Sequence, residues 1–455
     1  MITGKALLVS GTIVRMHGEL SQKEKFIAFF AGIVVGLAVL AVALYQIPGI
    51  QSRVDWQMDK ASAFVRGIVD PVKPIPTAIA DASDVRGVEE GTLIPVLPHA
   101  ALDNSPTPSP TSTQPEPTQV NTPTITPSPE PTLTPTAIPV QIELDPPPYE
   151  KQELNNCGPA TLSMHLNYYN WGGTQTTISD VIKPLREDRN VNVEELAYYV
   201  NTQAAYYEIQ YRVGGDIEML KKLLAAGFPV TVEEAFIMEE SYWMNDDRWA
   251  GHYLLLTGYN DATQRFTAQD PFLAPNISVP YSVLDDHWKA FNRVYIVLYP
   301  PEQRETVKSI LGPHWDASYN RQHALEVSER EIELDSTDSY AWFNKGTNLV
   351  YFEKYSHAAL AYDEARKHGF PQRMLRYQFG PFFAYFHTQR MDDLMAMTDY
   401  ALKRTPNSEE ALLWKGWGMY RQGKKNEALE LFAQALEVRP NYPDAIYALE
   451  FARNN

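Results

Sequence analysis

A stretch rich in proline, threonine and serine at residues 105–139 separates the N-terminal part of this chain of 455 residues from two regions of globular composition. Its sequence, SPTPSPTSTQPEPTQVNTPTITPSPEPTLTPTAIP, offers too little apolar surface to offset the entropy lost on ordering. Proline favours an extended backbone, so the stretch can reach up to ~100 Å at about 3.1 Å per residue. We therefore predict a disordered stalk at residues 105–148, a feature typical of surface-displayed proteins.

The region before the stalk contains a long apolar segment, FIAFFAGIVVGLAVLAVALYQI at residues 26–47, without a charged side chain. As a helix it would extend roughly 33 Å, which is enough to cross a bilayer. A cleaved signal peptide is the alternative, although its apolar region would be shorter. Basic residues flank both sides and only weakly favour a cytoplasmic N-terminus. We predict a cytoplasmic segment at residues 1–25, a transmembrane helix at 26–47, a juxtamembrane segment at 48–104, and the bulk of the chain outside the cytoplasm.

The net charge of −17 and the single cysteine exclude several kinds of site. A nucleic-acid partner is excluded because binding phosphates requires a basic surface, and no basic stripe occurs. One cysteine permits neither an intramolecular disulfide nor a multi-thiolate zinc site, and the ten histidines form no HExxH pair. We therefore expect no cofactor and no metal. Cys157 itself is either a small buried hydrophobe or a reactive thiol.

The residues around Cys157, KQELNNCGPATLSMHLNYY, favour a reactive thiol. Asn155 and Asn156 suit a turn or a helix cap, and Pro159 suits a first helical turn. This order predicts that Cys157 stands at the N-terminus of a helix. The helix dipole and the free N–H groups at that position stabilise a thiolate and lower its pKa.

His252 is the candidate base for this thiol. It opens the apolar run HYLLLTGY, which predicts a buried strand, and the polar residues NDATQ predict a hairpin turn to a second strand, RFTAQ. This hairpin would bring Asp270 opposite His252, close enough to orient the imidazole. We interpret Asp261 as a solvated turn residue. His165 lies roughly 12 Å along the helix of Cys157, too far to reach the thiol.

Gln152, five residues before Cys157, is a candidate donor to an oxyanion. A side-chain amide just upstream of the nucleophile, together with the Cys157 N–H, could stabilise a tetrahedral intermediate. An ordinary loop glutamine is the alternative. The spacing alone does not separate the two interpretations.

The ordered set Q-x4-C-G-P-A-x-L-x-M, GHYLLLTGY and QDPF resembles the bacteriocin-leader-processing, double-glycine peptidase-like family of papain-like cysteine peptidases. The resemblance covers about residues 149–301. It implies an α+β papain-like fold in which the cysteine helix packs on an antiparallel sheet. It also implies that Cys157 is the nucleophile and His252 the general base and acid, while Asp270 orients His252 and Gln152 completes the oxyanion hole.

One departure from that family limits the resemblance. Its leader-processing transporters also carry an ATP-binding cassette, whereas this chain has no G-x-x-x-x-G-K-S/T motif. The double-glycine specificity of those transporters is therefore not carried over, and the substrate stays open.

Residues 305–455 form a second, repetitive region with helical patterns throughout. Gly346 and Tyr362 in SYAWFNKGTNLVYFEKYSHAALAYDEARKHGFP align with Gly416 and Phe432 in EEALLWKGWGMYRQGKKNEALELFAQALEVRPN. The offset corresponds to about two periods of roughly 35 residues, with small residues where paired helices cross. The pattern is similar to the tetratricopeptide repeat. Such an all-α solenoid either binds a protein partner or braces the neighbouring domain.

Together the patterns predict a multidomain, single-pass membrane protein of the bacterial cell surface, with a papain-like peptidase domain at 149–301 and a tetratricopeptide solenoid at 305–455. Its expected partners are a peptide or protein substrate, the membrane, and a protein held by the repeats. Two alternatives stay open. One is a non-catalytic membrane-anchored scaffold, and the other is an acyl transferase, or transpeptidase, that uses the same thioester chemistry.

Overall fold

The structure, a computed structural model, describes residues 22–47, several residues between 50 and 78, and then 138–183, 191–239 and 248–455. The chain divides into two compact units, Met1–Ala61 and Ser62–Asn455. Residues 105–137 of the predicted stalk lie outside the described residues.

The first unit contains helix α1, Gln22–Tyr45, which overlaps the segment expected to cross a membrane. Its described apolar side chains are exposed, among them Phe29 and Leu40. Within the part of the chain that the structure describes, no helix combines the length and the hydropathy needed to cross a membrane. The transmembrane helix at residues 26–47 therefore stays a prediction.

The second unit begins with a mixed region of helices and strands. Its elements in chain order are β1 (Gln141–Glu143), α2 (Cys157–Asn167), α3 (Gln175–Ile182), α4 (Val193–Gln203), β2 (Glu208–Arg212), α5 (Ile217–Ala225), β3 (Val230–Ile237), β4 (Trp249–Asn260), β5 (Arg265–Gln269), β6 (Ile277–Pro280), α6 (Tyr281–Trp288), a 3-10 turn (Lys289–Phe291) and β7 (Tyr295–Tyr299).

These strands form one antiparallel sheet in the order β2-β7-β3-β4-β5-β6, and β1 pairs with the end of β4. The central strand β4 is buried along most of its length because its apolar side chains pack on both faces of the sheet. Helix α2 packs against β3 and β4. This arrangement confirms the predicted α+β class, a helix packed on an antiparallel sheet.

Strand β1 corrects the predicted end of the stalk. Gln141 pairs with Asn260, and the N–H of Asp261 donates to the carbonyl of Val140 over 2.9 Å. Residues 138–148, assigned to the stalk from their proline-rich surroundings, therefore belong to the folded region. The strand was missed because its three residues are too few to show a two-residue period.

The rest of the second unit is helical. After a 3-10 turn (Pro301–Gln303) its helices are α7 (Arg304–Leu311), α8 (Ala317–Leu334), α9 (Ser339–Tyr351), α10 (Tyr355–His368), α11 (Gly380–His387), α12 (Met391–Arg404), α13 (Glu409–Arg421), α14 (Lys425–Val438) and α15 (Pro443–Asn454), with 3-10 turns at Gly312–Trp315 and Gln372–Arg376.

The pairs α9–α10 and α13–α14 show why glycine recurs in the repeats. A Cβ on Gly346 would lie 2.7 Å from the ring of Tyr362, and one on Gly416 would lie 2.4 Å from the ring of Phe432. In each pair the glycine of the first helix makes room for an aromatic side chain of the second. The predicted alternation of small and large residues is therefore present, and the all-α repeat region is confirmed.

Asparagine side chains of the repeats hold the turn after α6. Asn344 donates from Nδ2 to the carbonyl of Lys289 over 2.8 Å, and Asn292 donates from Nδ2 to Oδ1 of Asn348 over 2.8 Å. The Lys289 ammonium also pairs with Asp338 at 2.6 Å. These contacts favour the interpretation of the repeats as a brace, while binding of a separate partner stays a prediction.

A short segment that precedes the proline-rich stretch contacts the repeats. Arg366 donates from Nε to the carbonyl of Pro76 over 2.8 Å and from Nη2 to the carbonyl of Thr77 over 2.6 Å. The same guanidinium is held by Asp393 at 2.8 Å. The residues on both sides of the interval 79–137 are therefore attached to the same unit.

Candidate active site

Cys157 is the first residue of α2 and is partly exposed. Asn155 turns the chain into this helix with a φ of 52°, a left-handed conformation that asparagine tolerates better than most residues. Asn156 occupies the N-cap position, but its side chain makes no capping hydrogen bond. The predicted helix start is therefore observed, while the capping interaction expected from Asn156 is replaced by a contact outside the helix.

That contact is made by Gln175, the first residue of α3. Its Oε1 accepts hydrogen bonds from the N–H of Glu153 and from Nδ2 of Asn156, each over 2.8 Å. Its Nε2 donates to the carbonyl of Lys151 over 2.8 Å. One buried amide thus joins both sides of the loop that leads to Cys157. Gln175 was not predicted as a site residue, because no residue spacing in the sequence indicates a contact between a loop and a later helix.

The thiol of Cys157 lies within interaction range of the imidazole of His252 on β4, and each group shifts the pKa of the other. The Nε2 atom of His252 lies 2.8 Å from Oδ1 of Asp270. Because Nε2 is engaged with the carboxylate, Nδ1 is the ring nitrogen that faces the thiol. The side chains of Cys157, His252 and Asp270 are therefore neighbours, while their roles as a catalytic triad stay a prediction.

Asp270 is itself fixed by the loop that follows β5. Its Oδ1 accepts hydrogen bonds from the N–H of Phe272 over 2.8 Å and of Leu273 over 3.0 Å. These donors and the nearby His252 hold the pKa of the Asp270 carboxyl below its usual value, although burial opposes them. Asp270 is therefore a carboxylate that is held in place to orient the ring.

The ionisation of the pair follows from the same contacts. Burial by itself would raise the pKa of Cys157, but the hydrogen bond and charge of His252, with the N–H groups of Tyr253 and Gly158, lower it below the ordinary thiol value. Burial would lower the pKa of His252, but Asp270 and Cys157 raise it to about 10. Both shifts favour the thiolate and the imidazolium over the neutral pair.

Gln152 lies on the loop between β1 and α2. Its N–H donates to the carbonyl of Pro271 over 2.8 Å, and Tyr149 donates from its hydroxyl to the carbonyl of Asp270 over 3.0 Å. These bonds attach the loop to the residues around Asp270. Among the described residues Oε1 of Gln152 has no hydrogen-bond partner. Its role as an oxyanion donor stays a prediction.

Two other sequence interpretations have different outcomes. Asp261 was interpreted as a solvated turn residue, but its carboxylate pairs with Lys221 at 2.9 Å and accepts a hydrogen bond from Tyr281 over 3.0 Å. It therefore fastens the hairpin to its neighbours. His165 is buried, its Nδ1 lies 2.9 Å from the hydroxyl of Thr231, and burial lowers its pKa to about 3. It is a buried core residue, a role that the sequence interpretation did not assign to it.

Sequence analysis missed two buried carboxyl groups on β3. Glu233 pairs with Tyr253 in the sheet register, and Glu234 pairs with His252. Burial raises the pKa of Glu234 to about 7. His287 lies 4.0 Å from this carboxyl, which is too long for a hydrogen bond. The signal in the sequence is the pair of acids within the apolar run VTVEEAFI, since acids are uncommon in a buried strand.

The comparisons with known proteins divide the chain in the same way. Residues 143–298 match the model of the Peptidase_C39 like family, and residues 409–442 match the model of the tetratricopeptide repeat. No curated protein matches this chain.

Several solved structures are similar to the first of these regions. A protein described as a C39-like peptidase from Bacillus anthracis is 17% identical, with 35% of this chain and 96% of that chain covered and a TM-score of 0.28. A double glycine motif protease from an AMS/PCAT transporter, in complex with the leader peptide, is 19% identical. The match covers 35% of this chain and 94% of that chain, with a TM-score of 0.26. Xylellain, a cysteine protease from Xylella fastidiosa, is 14% identical. The match covers 36% of this chain and 87% of that chain, with a TM-score of 0.28.

At these TM-scores the structural likenesses add no argument to the two family matches. The matched intervals agree with the observed architecture, in which the antiparallel sheet precedes the helical repeats. The chain therefore joins a Peptidase C39-like region to a region of tetratricopeptide repeats.

Proposed function

We propose that the chain is a cysteine peptidase that hydrolyses peptide bonds through Cys157, His252 and Asp270, with Gln152 as oxyanion donor. The observation that carries this proposal is the 2.8 Å contact of the His252 imidazole with the Asp270 carboxylate, with the Cys157 thiol within interaction range of the same ring. A thiol at a helix N-terminus beside a fixed imidazole is the arrangement that nucleophilic catalysis by cysteine requires. The match of residues 143–298 to a peptidase family supports it.

The mechanism follows from the positions of these groups. The Cys157 thiolate attacks the carbonyl carbon of the scissile bond, and the oxyanion accepts hydrogen bonds from the Gln152 amide and the Cys157 N–H. The imidazolium of His252 donates its proton to the leaving amine, which leaves a thioester. His252 then takes a proton from water, and the resulting attack releases the acid and restores the thiol.

The proposal includes the location of the enzyme. The apolar segment at residues 26–47 anchors the chain in a membrane, and the bulk of the chain lies outside the cytoplasm. The support is the apolar, uncharged sequence pattern of this segment and the proline-rich stretch that follows it. Protease added to intact cells should release a fragment that contains the peptidase region and the repeats. Failure of release from cells that display the chain would contradict this orientation.

Hydrolysis of pooled fluorogenic peptides by the full chain tests the catalytic proposal. Cys157→Ala and His252→Ala should each abolish hydrolysis, because one removes the nucleophile and the other removes the proton donor. His357→Ala is the matched control, since His357 is an exposed histidine of α10. Hydrolysis that survives Cys157→Ala would show that the activity does not come from this site.

The acyl-transferase alternative uses the same thioester and differs only in the acceptor. Adding hydroxylamine or an amino-acid amide during turnover separates the two outcomes. A peptidase should give mainly the free acid, whereas a transferase should give the amide or hydroxamate as its main product. A scaffold without activity should give neither product.

A further inference from the structure

A cavity of about 370 Å³ lies within the second unit, between the peptidase region and the repeats. The peptidase region contributes the start of α4, residues of β2 and β3 and residues between α6 and β7 to its walls, and the repeats contribute residues of α8 to α11. A volume of this size accommodates a large side chain or a short peptide segment.

Glu233 is a polar group of the cavity that also interacts with a catalytic candidate, Cys157. Its side chain contacts Tyr253, and its carboxyl is within electrostatic range of Cys157 and of Glu194, which also lines the cavity. Glu233 is only 5% exposed and has no ion pair with the residues that the structure describes. A buried carboxyl without an ion pair is a candidate binding group for a cation that enters the cavity.

The neighbouring β3 residue provides a contrast. Successive side chains of a strand point to opposite faces of the sheet, so Glu234 lies on the other face, beside His252 and His287. Only Glu233 of these two acids lines the cavity. The two carboxyl groups therefore have separate surroundings although they are adjacent in sequence.

The remaining walls suit the stem of a long basic side chain. Aromatic residues from both regions line the cavity, among them Tyr211, Phe291 and Tyr377. Such rings pack against methylene groups and attract a cation at their faces. The single guanidinium of the lining, Arg321, lies over the ring of Tyr351 at 5.2 Å on the repeat side.

We propose that this cavity receives a lysine or arginine side chain of the peptide substrate, with its cation at Glu233. The proposal rests on the proposed peptidase function, because it names the substrate class of that same enzyme. Burial, Cys157 and Glu194 raise the pKa of Glu233 well above its usual value in the empty cavity, and a bound cation opposes that shift. The repeats thereby take part in selecting the substrate, since their side chains complete the walls.

Binding to the inactive full chain tests the cavity independently of catalysis. The probes are two pools of fluorescent heptapeptides that differ only at the central position, one with lysine and one with norleucine, which has a stem of similar length but no charge. Fluorescence anisotropy with the Cys157→Ala chain should show that the lysine pool binds about tenfold more tightly or better, the scale of a charged hydrogen bond.

Glu233→Gln in the same chain should reduce this preference to about twofold or less, because the charge is lost while the shape is kept. Glu234→Gln is the matched control and should keep the preference, since it changes the adjacent buried acid on the other face. Circular dichroism and thermal melting confirm that both variants fold. No preference for lysine in the parent chain, or equal loss of it in both variants, would overturn the proposal.

Hydrolysis of the two pools by the chain with Cys157 intact separates this proposal from the peptidase function. Hydrolysis of both pools at equal rates, with no preference in binding, would leave the peptidase standing and overturn the cavity assignment. Preferential binding of the lysine pool without hydrolysis of either pool would support the cavity assignment and contradict the peptidase function. The ratio of kcat/KM for the two pools should fall about tenfold in Glu233→Gln and stay constant in Glu234→Gln.

Discussion

The reactivity of Cys157 depends on a balance between burial, which favours the neutral thiol, and His252, which favours the thiolate. We expect the rate of alkylation by iodoacetamide to reach its plateau at a pH below the range in which ordinary thiols ionise, about 8.5. In His252→Ala the midpoint should move upward, because burial then acts without the imidazolium. Intact-mass measurement of alkylation across pH gives both midpoints, and equal midpoints would contradict the pairing.

The His252–Asp270 contact should control the alkaline side of the activity profile. The active form has a thiolate and a protonated His252, so kcat/KM should fall as pH rises through about 10, where that imidazolium loses its proton. Asp270→Asn removes a group that raises the pKa of His252, so the alkaline limb should move to lower pH. We also expect kcat/KM to fall by about 100-fold or more, because the ring loses its orientation.

Steady-state kinetics of both chains across pH tests this prediction. A loss of activity without movement of the alkaline limb would indicate that Asp270 supports the fold rather than the charge of His252.

At the residue scale, what the sequence predicts depends on local geometry. The position of Cys157 follows from residues next to it, and the contact of Asp270 with His252 follows from the length of one hairpin. The contacts of Glu233 with Tyr253 and of Asp261 with Lys221 do not follow from local sequence, because each joins residues of different elements. Local sequence patterns therefore indicate which candidate side chains are neighbours, but not which polar groups surround them.

At the element scale, the loop before α2 depends on α3. Gln175→Ala would leave the N–H of Glu153, the amide of Asn156 and the carbonyl of Lys151 without this partner. We expect the free energy of unfolding to fall by about 1–3 kcal/mol. We also expect kcat to fall, because the loop carries the groups proposed for the oxyanion hole.

Urea denaturation and kinetics of the purified chain measure both effects of Gln175→Ala. Thr176→Ala is the control, since Thr176 is the exposed next residue of α3 and should change the free energy of unfolding by less than about 0.5 kcal/mol. An unchanged kcat in a destabilised Gln175→Ala chain would limit this helix to a structural role.

The pairing of β1 with β4 requires a glycine at position 258. A Cβ there would lie 2.7 Å from the carbonyl oxygen of Ile142 and 2.6 Å from the carboxylate of Glu143. We expect Gly258→Ala to lower the free energy of unfolding by about 1–3 kcal/mol, because either β1 or β4 has to move. Ala262→Ser, at an exposed turn position of the same hairpin, should have little effect in the same denaturation experiment.

The hairpin of β4 and β5 also shows where prediction of elements stops. Its strands and turn were predicted from apolar runs and a polar break, and they are present. The register shift between Leu256 and Gly258 was not predicted, because a bulge adds one residue without changing the apolar pattern. Prediction from periodicity therefore gives the strands but not the local irregularities that adjust their pairing.

At the scale of the whole molecule, the order of the regions could be predicted from the sequence, but their contacts could not. The repeat pattern specifies how paired helices pack on each other, as at Gly346 and Tyr362. It contains no signal for the asparagines that hold the turn after α6 or for the arginine that binds residues 76–77. Those surfaces are polar and have no period, so only the structure identifies what they contact.

These contacts decide between a repeat domain that only recruits a partner and one that the peptidase region needs in order to fold. Without the repeats, the carbonyls of Lys289 and Ala290 would lose the amides of Asn344 and Gln378, each donating over 2.8 Å, and the packed ring of Phe291 would be exposed to water. Each lost partner costs on the order of 1 kcal/mol, and the exposed aromatic surface adds more.

We therefore expect a chain that ends after residue 303 to melt at a lower temperature than the full chain, or to fail to fold, and to lose hydrolysis accordingly. Asn344→Ala in the full chain is the milder variant and should lower the melting temperature by a few degrees, about what 1 kcal/mol gives in a domain of this size. Equal melting temperatures and equal kcat/KM for the shortened and full chains would rule out the brace, because a module that only recruits partners leaves the peptidase region independent.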